Sequence, residues 1–214
     1  MNRLGISLQS LPDASSGGTE VLVALNGVLT GQILISDTVK PDAAAAVGQL
    51  TRMGLSAVML TGDTPQGAEA VARETGISDV RAGLLPQDKL KEMNRIRSNY
   101  GSVMFVGDGI NDAPVLAGAD AGAAMGSGAD AAIEAADIVF LNSEVRSIPQ
   151  SITLAKAVMH TAWQNVLLAL IVKISVMALG LFGYASMWMA VFADTGVTIL
   201  CIMNSVRLLY KKFD

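Results

Sequence analysis

The sequence has one cysteine, Cys201, and one histidine, His160. A disulfide framework is therefore excluded, and so is a Cys/His zinc site made by this chain alone. There is no basic excess: 15 Lys and Arg stand against 19 Asp and Glu, for a net charge of −4. Without a basic stripe, nucleic acid is excluded as an expected partner. No charged start followed by an apolar run marks the N-terminus, so no signal peptide is expected. No internal repeat is present. What the sequence has in excess is apolar residues, 51% of 214. They are concentrated in residues 163–209, whereas residues 1–160 read as an ordinary Ala- and Gly-rich globular sequence.

Along the chain, Val21 to Leu25, Asn26-Gly27 and Leu29 to Ile35 read as a hairpin, because Asn-Gly suits a tight turn with positive φ. Short apolar runs then alternate with helical patterns. Strands are predicted at Ile33–Ser36, Ala57–Leu60, Val80–Ala82, Val103–Val106, Ala121–Ala124 and Ile138–Leu141. Helices are predicted at Asp42–Met53, Gln66–Thr75, Gln87–Asn99 and Asp112–Ala117. The alternation implies βαβ units and a parallel sheet covered on both faces. Such sheets bind ligands at the carboxyl ends of their strands.

Two of those ends are acidic and Gly-containing. Thr61-Gly62-Asp63 follows one strand, and Gly107-Asp108-Gly109-Ile110-Asn111-Asp112-Ala113-Pro114 follows another. The glycines permit close approach of backbone to a ligand. Thr61 offers a hydroxyl beside a helix start, which suits a phosphate. Asp108 and Asp112 offer the hard oxygens that Mg²⁺ prefers. Lys89, just inside the helix that follows Leu85-Pro86, can bring a fixed positive charge. Anion donors, a lysine and a carboxylate-held Mg²⁺ are what phosphoryl transfer needs.

The run from Gly107 to Pro114 resembles the hinge motif of P-type ATPases. Thr61-Gly62-Asp63 resembles their second phosphate-site motif, Lys89 the lysine of their third, and Asp37-Thr38-Val39-Lys40-Pro41 the return from the nucleotide-binding domain. The resemblance covers about residues 20–209 in the expected order. It implies an α/β, haloacid-dehalogenase-like phosphorylation domain with a parallel sheet, followed by two transmembrane α-helices. It also implies roles. Thr61 and Gly62 bind the transferred phosphoryl group and Lys89 neutralises it. Asp108 holds Mg²⁺, Asn111 and Asp112 support phosphate and metal, and Asp63 acts near nucleotide or phosphate. ATP would reach the site through a nucleotide-binding domain largely absent here.

The resemblance also exposes a gap. The family's nucleophile is the aspartate of an Asp-Lys-Thr-Gly-Thr run, and this sequence has no such run; Asp37 is followed by Thr, Val and Lys and is no substitute. The phosphorylation domain is thus expected to be incomplete, with its first, central strand missing. The chain alone is expected to be inactive, since without a nucleophile no aspartyl-phosphate forms. The expected division is 1–32 as a remnant of the nucleotide-binding domain, 33–147 as the phosphorylation domain and 148–162 as a linker helix. Residues 163–183 and 185–207 form the two spans, and 208–214 a cytoplasmic tail.

Trp163 to Phe182 is apolar except for Gln164, Asn165, Lys173 and Ser175. Twenty residues rise about 30 Å, the thickness of a bilayer core. Ala185 to Val206 is a second span, interrupted mainly by Asp194 and Asn204, with Gly183 and Tyr184 as the turn. Arg207, Lys211 and Lys212 follow it, so both ends are expected on the cytoplasmic side of a cell membrane. Lys173 lies eleven residues before Tyr184 and Asp194 ten after it, which places opposite charges at matched depth. Each alone would cost about 2.5 kcal/mol or more there. The lysine, with Asp194-Thr195-Gly196 in the last helix, resembles the zinc/cadmium/lead-transporting subgroup of heavy-metal P-type ATPases. That implies Asp194 as a ligand of the transported Zn²⁺, Cd²⁺ or Pb²⁺ and Lys173 as its counter-ion.

The leading reading is the C-terminal part of an ATP-driven heavy-metal efflux pump, whose partners are the bilayer, the remaining N-terminal portion and a divalent metal ion. The alternative is a non-catalytic half or truncated product, active only with a complementary chain. A membrane-anchored phosphatase would need its own Asp-x-Asp pair after a first strand, and none is present. A copper-type pump is disfavoured by Lys173 and Asp194-Thr195-Gly196. Cys201 and Met203 read as packing residues more readily than as soft metal ligands.

Overall fold

The structure is a computed structural model that describes residues 19–26, 28–35 and 38–211. It divides into two units, at residues 1–147 and 148–214.

In the first unit, β1 (Thr19–Leu25) and β2 (Val28–Ile35) form an antiparallel hairpin with an irregularity between Val23 and Ala24. Asn26 takes φ 51°, as a tight turn requires. Gly27, Ser36 and Asp37 lie outside the described residues, so the end of the strand expected at Ile33–Ser36 and the start of the Asp37–Pro41 segment do too. Most of the nucleotide-binding remnant expected at residues 1–32 also lies outside them.

The alternating part follows. Helix α1 (Ala43–Arg52) precedes β3 (Val58–Leu60), and α2 (Pro65–Thr75) precedes β4 (Asp79–Arg81). Helix α3 (Pro86–Tyr100) leads to β5 (Met104–Gly107), a 3₁₀ turn (Ile110–Asp112) and α4 (Ala113–Gly118). Strand β6 (Ala121–Met125), α5 (Asp130–Ala135) and β7 (Ile138–Phe140) complete the unit. Proline at the first turns of α2 and α3 suits their starts, where its missing N–H is no loss.

The strands pair in parallel, but in two pieces, β3 with β4 and β5–β6–β7. Among the described residues no strand occupies the second edge of β3 or of β5. That interruption is what a haloacid-dehalogenase-like sheet without its central strand leaves. The core packs chiefly where the three-stranded piece meets α3, α4 and α5: Met93 and Val115 are fully buried, as are Ala123, Ala124 and Ala132.

The second unit is a helical hairpin. Helix α6 (Ser147–Leu181, 35 residues) is about 52 Å long, more than a bilayer core requires. The turn places Gly183 at φ 78°, and Tyr184 N–H donates to the Leu179 carbonyl at 2.9 Å. The return begins at Met187 rather than at the expected Ala185, because Ser186 caps it by accepting the Met189 N–H. It runs through α7 (Met187–Val191), a π turn (Phe192–Gly196), α8 (Val197–Val206) and a 3₁₀ turn (Arg207–Tyr210). Both helices are long and apolar enough to cross a membrane. Ile171 and Ile174 are more than half exposed, as are Ile199 and Ile202. A buried hairpin of a soluble protein would cover such residues.

Candidate phosphate and ion sites

At the end of β3, Thr61 N–H donates to the Arg81 carbonyl at 3.0 Å, extending the pairing with β4. Leu84 N–H donates to the Thr61 carbonyl at 3.0 Å and Gly83 N–H to the Asp63 carbonyl at 2.9 Å. The Thr61–Asp63 loop is thus laced to the loop after β4. The Thr61 hydroxyl donates to Asp63 Oδ2 at 2.7 Å and accepts the Asp63 N–H at 3.1 Å, which closes a compact turn. Gly62 and Asp63 are exposed on it.

Lys89 sits in the first turn of α3, its N–H on the Leu85 carbonyl at 3.1 Å. Its Nζ donates to Asp112 Oδ1 at 2.8 Å, with the two side chains 17% and 10% exposed. Asp112 Oδ2 accepts the Gly109 N–H at 3.3 Å, and Asp112 N–H donates back to the Gly109 carbonyl at 3.0 Å. Asp112 is therefore the joint of the loop after β5, committed to Lys89 on one oxygen and to backbone on the other. Asp108, at the tip of β5, is exposed, and among the described residues no hydrogen bond or ion pair engages its carboxylate. Its backbone is pinned: Ala129 N–H donates to the Asp108 carbonyl at 2.8 Å, and a Cβ on Gly128 would stand 2.7 Å from that oxygen. Asn111 is exposed in the 3₁₀ turn.

Backbone hydrogen bonds thus join the tips of β3 and β4, and the Lys89–Asp112 ion pair joins the first turn of α3 to the loop after β5; among the described residues no hydrogen bond or ion pair joins Thr61–Asp63 directly to that loop. Among the described residues no group of three or more His, Cys, Asp or Glu side chains is placed to hold a metal. In the loop after β5, Asp108 alone offers a free carboxylate, since Asp112 is engaged on both oxygens; one carboxylate is still enough for Mg²⁺, which takes one or two and completes its shell with phosphate oxygens and water. A shallow depression lined by Glu69, Ala72, Arg73, Gly76, Ile77, Ser78 and Val80 lies at the other end of β4, away from these tips.

In the hairpin, Lys173 Nζ donates to Asp194 Oδ1 at 3.2 Å. Asp194 occupies the middle of the π turn, and its carbonyl accepts the Thr198 hydroxyl at 2.7 Å. A Cβ on Gly196 would fall 2.6 Å from the Phe192 ring, so a larger residue there fits only if that ring moves. Sequence reasoning found the pair from depth but not the turn. It also treated Gln164, Asn165 and Asn204 as mere interruptions, whereas these three hydrogen-bond across the helices. Their polarity in apolar spans was the available signal.

The sequence profile of the haloacid dehalogenase-like hydrolases matches residues 8–120, and a second of the same description matches residues 89–152. A cadmium, zinc and cobalt-transporting ATPase of Bacillus subtilis is 45% identical over 210 residues, 96% of this chain and 30% of its own length. A zinc/cadmium/lead-transporting P-type ATPase of Escherichia coli is 42% identical over 92% of this chain and 27% of its own. The crystal structure of a zinc-transporting PIB-type ATPase in the E2.Pi state superposes with a TM-score of 0.82 at 41% identity, over 97% of this chain and 33% of that one. The chain thus spans about 30% of the length of the curated relatives it matches.

Proposed function

The chain belongs to the haloacid dehalogenase-like hydrolase family, and from that premise we propose that it supplies the Mg²⁺–phosphate site and part of the ion path of an ATP-driven efflux pump for Zn²⁺-type metals. The observation that carries this reading is the Lys173–Asp194 pair at 3.2 Å in an apolar hairpin, on the same chain as a phosphate-type strand-tip site. A phosphatase of the same fold has no use for an ion pair in lipid, where each charge alone is costly.

At the strand tips, Thr61 and Gly62 would receive the phosphoryl group through hydroxyl and backbone N–H, once Asp63 yields the Thr61 hydroxyl. Lys89 would face the developing negative charge, held in place by Asp112. Asp108 would hold Mg²⁺, and Asn111 would orient phosphate oxygens. Mg²⁺, when bound, supplies charge neutralisation and clamping rather than a nucleophile. The carboxylate that accepts the phosphoryl group is not among these residues. In the hairpin, Asp194 would bind the transported metal, and Lys173 would take back the carboxylate as the metal leaves. The hairpin would cross the cell membrane with both ends cytoplasmic.

A second reading, a non-catalytic half that works only with a complementary chain, is favoured by the unfilled edges of β3 and β5. One experiment tests both. Cells lacking their zinc exporter receive this chain, a chain carrying Asp-Lys-Thr-Gly-Thr, or both. Zinc resistance restored only by the pair supports a split pump. The pump assignment itself is tested in a longer protein containing this segment: Asp194→Ala should abolish zinc-stimulated ATPase activity, and an unchanged rate refutes it.

A further inference from the structure

Between helices in lipid there is little hydrophobic drive to fix their axial position, because lipid tails are as apolar as the side chains. Packing in this hairpin is thin: in the return segment only Ala193 and Val197 are buried. Polar contacts must then set the register, and they are concentrated at the end opposite the turn. Asn165 is their centre. Its amide donates to Ser205 Oγ at 2.9 Å and to the Cys201 carbonyl at 3.2 Å, and its Oδ1 accepts from Asn204 Nδ2 at 2.9 Å. Its backbone carbonyl accepts the Cys201 thiol at 3.6 Å. Asn204 also donates to Gln164 Oε1 at 3.3 Å and accepts from Arg207 at 3.3 Å.

Lys173 follows Asn165 by eight residues, about 12 Å, and Asp194 precedes Asn204 by ten, about 15 Å. The ion pair therefore lies between two anchors, the Gly183 turn and this amide cluster. With the turn alone, the helices could pivot about it, and the pair, eleven and ten residues away from Tyr184, would lose its alignment.

We propose that Asn165 and Asn204 are positioning residues for the ion site: their interhelical amide clamp fixes the register in which Lys173 reaches Asp194. This deepens the ion-path reading and rests on it only for the clamp's use in transport. The geometric claim stands independently.

The test uses the full 214-residue chain in phospholipid nanodiscs, with lysine ¹⁵Nζ and aspartate ¹³Cγ labels and no added metal. The Lys173–Asp194 contribution to the dipolar dephasing is the difference between wild type and Asp194→Asn, which removes the signals of other Lys–Asp pairs. The double variant Asn165→Leu/Asn204→Leu replaces both partners, so neither amide is left unpaired. The difference signal is expected to fall about threefold or more while helix content and thermal midpoint hold. An unchanged signal overturns the proposal. Should the double variant lose helix content, Asn165→Ala alone decides by the same measure: loss supports the clamp and retention overturns it. Titrating Zn²⁺ into wild type afterwards probes the ion reading separately. Metal that leaves the pair intact counts against that reading alone.

Discussion

Lys89 and Asp112 stand 23 residues apart in sequence and 2.8 Å apart in space, and both side chains are mostly buried. The contact brings the first turn of α3 to the loop after β5. Removing one partner of a buried pair leaves an uncompensated charge, at a cost of about 3 kcal/mol. Lys89→Met is therefore expected to lower the stability of the first unit by about that amount. Adding Asp112→Leu should recover part of it. Urea unfolding of wild type and the two variants, followed by the exchange of first-unit amides, checks this; equal stability of wild type and Lys89→Met would refute it.

Met93 on α3 is fully buried. Met93→Ala should cost about 2–5 kcal/mol, as deletion of a buried long side chain does. The same unfolding measurement reads it, and a loss well below that range would mean the core closes around the gap.

Phosphoryl transfer gives a third prediction. Purified chain incubated with Mg²⁺ and γ-labelled ATP should hold no acid-stable label above an Asp108→Ala control, because no Asp-Lys-Thr-Gly-Thr run is present. Label above that control would show that another carboxylate serves as acceptor.

Acid should weaken the first unit. The Val103 N–H, donated to Asp120 Oδ2 at 2.8 Å, holds that carboxyl below its ordinary value, with Arg97 adding to the effect. The Arg146 N–H does the same for Asp42. A carboxylate whose folded pKa is depressed stabilises the fold above its unfolded pKa, and that contribution is lost as pH falls through the folded one. Stability should thus decline below about pH 4. Asp120→Asn should shrink the decline in a pH series of thermal midpoints.

Gly196 supplies the last prediction. Gly196→Ala sets a methyl against the Phe192 ring, at 2.6 Å before relaxation. In a longer pump containing this segment it should reduce zinc-stimulated ATPase activity, by about a hundredfold where the Asp194 carboxylate is displaced by about 1 Å. Phe192→Ala in the same chain should restore part of it. Activity unaffected by Gly196→Ala would mean that the Phe192 ring gives way and that glycine is not required in the turn.

Much of this was legible in residue order. Strands β3 to β7 follow short apolar runs, and the helices between them have apolar spacing and proline starts, so boundaries shift by only a residue or two. Helix α5 was not legible, because Asp130–Ala135 is a six-residue, mostly alanine stretch without a helical repeat of large apolar groups. Thr61, Lys89 and Asp108 stood out as polar groups at strand tips or helix starts. That Asp112 would be committed to Lys89 and Gly109 was not visible, since pairing between distant segments depends on how the loops fold. The Lys173–Asp194 contact could be read because hairpin depth is arithmetic. The amide cluster around Asn165 and the π turn could not, because both depend on rotation of one helix against the other.

The open seam in the sheet also bears on how the chain behaves in a test tube. Bare strand rims invite copies to zip together, yet the rims here belong to segments of three and four residues, shorter than the six or seven that stack into ordered fibres. Rims so short are poor templates for a filament, so clumping of the purified chain should begin instead at the longer outer edges of β1 and β2, seven and eight residues, or at the greasy hairpin.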